Sequence, residues 1–97
     1  MNMRKLLQQA EEMQNKMKHE LADAVVETSV GAGMLTVKMN GHRLLTEVTI
    51  DPEAIDPDDI SLLEDLVIAA VNDATQKIDE ELRGRLGNIA ANMPSLF

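Results

Sequence analysis

Five basic side chains, Arg4, Lys5, Lys77, Arg83 and Arg85, are the groups in this sequence best suited to chemistry, and that chemistry is charge pairing. Arginine presents a planar fork of donors and lysine a compact ammonium, and both hold phosphate oxygens without a catalytic partner. Arg4 and Lys5 open one helical stretch. Lys77, Arg83 and Arg85 fall on the second half of another. If the two stretches pack antiparallel, the two groups meet at one end of the molecule, and a dimer displays that cluster twice. The competing reading for each residue is an ordinary solvated helix face.

No other residue group has the spacing of a reactive centre. Gly31-Ala32-Gly33 resembles the start of a phosphate-binding loop, but a dinucleotide fingerprint needs a third glycine where Thr36 stands and a helix where a strand follows. A hairpin turn is the better reading. Asp56, Asp58 and Asp59 lack the spacing and the glycine of a calcium loop, and Pro57 among them fits a helix start. His19 and His42 stand apart from any nucleophile, and Ser29, Ser61 and Ser95 show no activating pattern. With no cysteine, a thiolate metal site and a disulfide framework are both excluded. The expectation is a protein that is not an enzyme, with no cofactor, no metal and no small-molecule substrate.

The formal net charge of −8 argues against nucleic acid until its distribution is read. Residues 51–75 carry Asp51, Glu53, Asp56, Asp58, Asp59, Glu64, Asp65 and Asp73 and no base. Residues 1–20 set Arg4, Lys5, Lys16 and Lys18 against Glu11, Glu12 and Glu20, and residues 76–97 are balanced. The acid is therefore confined to the middle of the chain. At 97 residues the chain reads as one domain, 1–97, and Phe97 is its only aromatic residue. So small an aromatic supply favours burying helix surface against a second copy. No apolar run approaches a membrane span, and MNMRKLLQQAEEMQ turns polar too soon for a signal peptide, so a cytoplasmic protein with no membrane contact is expected.

The elements that position these residues follow from hydrophobic period. Met3, Leu6, Ala10, Met13, Met17 and Ala24 step by three, four or seven, which predicts a helix over 3–24. From Val25 the period is two. Three short strands over 25–50, joined at Gly31-Ala32-Gly33 and at a type I′ turn on Asn40-Gly41, predict an antiparallel meander. The third strand is expected to put Leu44, Val48 and Ile50 on one face and Leu45, Glu47 and Thr49 on the other. A second helix is expected over 57–86, capped by Asp56 or, a few residues on, by a capping box at Ser61-Leu62-Leu63-Glu64, with Gly84 and Gly87 weakening its end and 92–97 a mobile tail. Its segment Leu66 to Val71 is apolar almost all round, which calls for cover on two sides. A subunit interface drawn from Leu6, Met13, Met17, Leu66, Val67 and Val71 supplies the second side. The fold class is α+β, in the order α-β-β-β-α.

In that order of elements, LLQQAEEMQNKM, the glycines at 31–33, Asn40-Gly41, VTIDPE and LEDLVIAAVNDA together resemble the YbaB/EbfC family of bacterial nucleoid-associated proteins. The resemblance covers nearly the whole chain. It implies a homodimer with projecting paired helices, described as tweezer-like, that binds double-stranded DNA in the bacterial nucleoid. It also implies DNA contacts on the helices, which here map to Arg4, Lys5, Lys77, Arg83 and Arg85. Some members carry basic residues on the third strand where Thr46 and Glu47 stand here. A second reading from the charge alone is an acidic dimeric adaptor that binds proteins without touching DNA.

Overall fold

The computed structural model describes the backbone of residues 2–91 and the side chains of 2–88. Helix α1 (Met3–Asp23) is followed by strands β1 (Val25–Val30), β2 (Leu35–Asn40) and β3 (Leu45–Ile50), a single turn of 3-10 helix at Pro52–Ala54, and helix α2 (Ile60–Ala91). The strands form one antiparallel sheet in the order β1-β2-β3. The expected α-β-β-β-α fold is the observed one.

The core lies between α2 and two of the three strands. Leu35, Val37 and Met39 on β2 alternate inward and are buried, and α2 lays Ala70, Ala74, Ile78 and Leu82 against them. Two alanines in this stripe bring the helix close to the sheet, and Val26, Val30 and Leu66 close its β1 side. Thr28 sits in the same layer opposite Val37, and its buried Oγ1 has no hydrogen-bond partner among the described residues. Over β3 the same sheet face continues uncovered: Leu45, Val48 and Ile50 are 41%, 50% and 38% exposed.

Several local expectations are corrected. A bulge between Lys38 and Met39 in the β2–β3 register pairs Lys38 with Glu47 but Met39 with Leu45. The extra residue, Thr46, switches the alternation, so Leu45 and not Leu44 joins Val48 and Ile50 on the helix side. The hairpin is not a two-residue type I′ turn. Arg43 N–H bonds the Asn40 carbonyl, the Asn40 side chain accepts from the N–H groups of His42 and Leu44, and Arg43 takes the positive φ of 61°. Gly41 is needed for a different reason: a Cβ there would lie 2.2 Å from the Leu21 carbonyl oxygen, where α1 presses on the hairpin.

Helix α2 begins at Ile60 rather than 57 and continues past 86 to Ala91. Asp56 caps a turn instead of the helix, taking the Asp58 N–H on its carboxylate and the Asp59 N–H on its carbonyl. Gly84 and Gly87 do not stop the helix, because an isolated glycine costs only about 1 kcal/mol against alanine. The expected mobile tail at 92–97 lies outside the described residues. The molecule is a rod of 69 × 18 × 15 Å. The Gly31–Met34 turn and the acidic 51–65 segment lie at one end, where Asp51 N–H bonds the Met34 carbonyl and Leu66 abuts Gly31. The Asn40–Leu44 hairpin faces the other end, where α1 and the last turns of α2 project past the sheet.

Candidate nucleic-acid interface

Helix α1 is the projecting element. It buries no residue, and Met3, Leu6, Leu7 and Met17 are 68%, 40%, 61% and 39% exposed. Its last turn alone is anchored, through Leu21 on the core and the Leu21 backbone against Gly41. Beside that anchor, Glu20 of α1 accepts a hydrogen bond from Arg85 Nη1 of α2 at 3.0 Å. From this point seventeen residues of α1 remain toward Met3 and six of α2 toward Ala91. A rod of 69 Å is longer than the ~48 Å of α2, so α1, which buries no residue, runs outward antiparallel to α2 and past its end.

The tip of α1 is cationic. Asn2 caps the helix with its side-chain oxygen on the Arg4 N–H, and the first turn contains no acid. Arg4 and Lys5 are exposed there, with no ion pair among the described residues. The helix dipole is positive at this end, so two cations there weaken the helix, and negative charge beside them would offset that cost.

The five cations singled out from sequence do not form one cluster. Arg4 lies sixteen residues before Glu20, about 24 Å along the helix from the Arg85 level. Lys77 lies back over the sheet, beside an open hollow lined by Val26, Glu27, Glu80 and Glu81, and pairs with Asp73 at 3.6 Å. Arg85 is held between two carboxylates, Glu81 at 2.9 Å and Glu20 at 3.0 Å. Its hydrogen bonds to Glu81 and then Glu20 push its already high pKa further up. Arg83 is exposed and without an ion pair among the described residues. The unneutralised cations are therefore Arg4, Lys5 and Arg83, joined by Lys16 and Lys18 on the exposed surface of α1. Sequence reasoning passed over those two because Glu11, Glu12 and Glu20 balance them in the count. In the fold Glu20 is occupied by Arg85.

Arg43 pairs with Asp79 across the hairpin and α2. Lys38 pairs with Glu47 at 3.0 Å across the outer sheet face, and that hydrogen bond raises its pKa. Both are tied into the fold. Of the expected interface residues, Leu6, Met17 and Val67 are exposed, Met13 and Val71 are half-buried, and Leu66 is half-buried against the chain's own core. Among the described residues no three His, Cys, Asp or Glu side chains gather as a metal site, and no described helix is long and apolar enough to cross a membrane.

A sequence profile of the YbaB/EbfC DNA-binding family matches residues 1–93. The chain is similar over its whole length to a nucleoid-associated protein of Chloroflexus aurantiacus, 43% identical over 100 residues that also span all of that relative. A nucleoid-associated protein of Roseiflexus castenholzii is 47% identical, across 96% of this chain and 95% of the relative. One from Acetivibrio thermocellus is 40% identical, across 99% and 90%. Among solved structures, an uncharacterized protein from Helicobacter pylori superposes with a TM-score of 0.64 at 24% identity, covering 91% of this chain and 98% of that one. That likeness bears on the fold.

Proposed function

The chain belongs to the YbaB/EbfC DNA-binding family, and we propose that it is a nucleoid-associated protein whose homodimer grips the phosphate backbone of double-stranded DNA with its projecting α1 arms. The observation that carries this reading is the tip of α1. Arg4 and Lys5 stand at the positive end of a helix dipole with no acid in the first turn, an arrangement that folding alone disfavours and an anion relieves. Lys16 and Lys18 extend the charge along the arm, and Arg83 adds to it from α2. The acidic segment 51–65 lies at the far end of the rod, so the net charge of −8 does not sit against the duplex.

The dimer face is the uncovered half of the sheet. Leu45, Val48 and Ile50 of β3 lie beside the flank of α2 that carries Val67, Ile68 and Val71. Ile68 and Val71 stand seven and four residues before Thr75, whose hydroxyl lies 4.0 Å from Met39 Sδ on the sheet. Val67 and Ile68 are 42% and 59% exposed. An apolar strip of this kind on a small chain is relieved by a self-complementary contact with a second copy. The dimer carries two arms, and backbone contacts from both supply affinity with little base readout.

Titration of labelled duplex DNA across a salt series tests the site. Each neutralised phosphate releases counterions, so log affinity falls linearly with log salt. Arg4→Ala with Lys5→Ala, in both arms of a dimer, removes up to four contacts and lowers the slope by about 4. Absence of binding at low salt, or an unchanged slope, rejects the arm as the site.

A further inference from the structure

We propose that Arg85 is a positioning residue for the DNA-binding arm and not a phosphate contact: clamped between Glu81 and Glu20, it sets the direction in which α1 leaves the body. This rests on the reading that the arm carries the DNA contacts. Three observations support it. Arg85 is 31% exposed and spends two separate N–H groups on two carboxylates, Nε on Glu81 at 2.9 Å and Nη1 on Glu20 at 3.0 Å. A phosphate at this place meets one cation already shared by two anions, and the local charge repels it. Among the described residues, the Glu20–Arg85 pair is the only ion pair that joins α1 to α2. It stands one residue from the second fixed point, Leu21, whose carbonyl oxygen leaves no room for a side chain at Gly41.

The two fixed points act at the root of a long lever. Met3 lies seventeen residues from Glu20, about 26 Å along the helix. A tilt of about 20° at the root moves the tip by about 9 Å, which lies between the widths of the minor and major grooves of B-DNA, about 6 and 12 Å. Small slack at Arg85 therefore spreads Arg4 and Lys5 over positions away from the phosphates in the free protein, and binding must first gather them, which costs affinity without changing the number of contacts in the complex. A half-exposed ion pair still in reach of solvent contributes modestly to stability, so its value here is directional.

The charge sign separates this role from direct contact. Glu20→Gln removes a negative charge and frees Arg85, so if Arg85 binds phosphate the variant binds DNA more tightly. If Arg85 positions the arm, the same variant binds about fivefold more weakly with its salt slope unchanged. Arg85→Gln behaves likewise, whereas loss of a phosphate ligand lowers the slope by about 1 for each arm. Because the chain has no cysteine, Gln8→Cys on the arm and Thr49→Cys on the sheet give one pair of spin labels per chain, and mixing with an excess of the unlabelled cysteine-free protein isolates the distance within one protomer of the dimer. Their distance distribution broadens in Glu20→Gln and in Arg85→Gln. It narrows again when Glu20→Arg is combined with Arg85→Glu, which moves the guanidinium onto α1 opposite two carboxylates of α2. A distance distribution unmoved by these variants, tighter DNA binding by Glu20→Gln, or a lower salt slope for Arg85→Gln overturns the proposal. If the parent protein binds no DNA at all, the arm reading fails, and the distance measurement still decides whether Arg85 orients α1.

Discussion

The body and the arm of this molecule use helices in opposite ways. Over the sheet, α2 buries Ala70, Ala74 and Ile78 completely, and small residues let it settle onto β1 and β2. The α1 arm buries nothing and is held only at its last turn and through Glu20. The core sits in the body, while the unneutralised cations sit on the arm and at Arg83. On the proposed reading stability and DNA binding are carried by separate residues, and substitutions divide accordingly.

The largest effect is expected at the proposed dimer face. Val71→Asp places a charge on the flank of α2 beside β3 and costs on the order of 4 kcal/mol. Dimer and fold are lost together if the monomer is not stable alone. Sedimentation with circular dichroism checks this, and a folded parent monomer at micromolar concentration removes the dimer from the account. Next is the core itself. Ile78→Ala costs about 3 kcal/mol through lost burial and a cavity, read by denaturant unfolding. It leaves the salt slope of DNA binding unchanged for the fraction that remains folded.

The arm gives the converse. Arg4→Ala with Lys5→Ala lowers duplex affinity on the order of a hundredfold at low salt. The midpoint of unfolding stays the same or rises slightly, because two cations leave the positive end of a helix dipole. A fall in stability of more than about 1 kcal/mol would blur the division between arm and body. The smallest effect is at Thr28. Its buried hydroxyl has no partner among the described residues, so Thr28→Val stabilises by about 1 kcal/mol with DNA affinity unchanged. A loss of stability there would mean that the hydroxyl is paired in solution, by a buried water.

Element order and type were legible in the residues themselves, because hydrophobic period is a local property. The three–four steps from Met3 to Met17, the alternation of Leu35, Val37 and Met39, and the stripe Ala70, Ala74, Ile78 and Leu82 each state a helix or a strand without reference to a partner. The basic residues could be picked out in the same way, since charge is a property of type. Their neighbours could not. Arg85 meets Glu20 across 65 residues and Arg43 meets Asp79 across 36, and these pairings separate structural cations from free ones. The bulge at Thr46, which turns Leu45 toward the helix side, depends on where β3 registers against β2. The need for glycine at 41 depends on where α1 lands. Each of these is a contact between segments distant in the chain, and a contact of that kind exists only once the chain has folded.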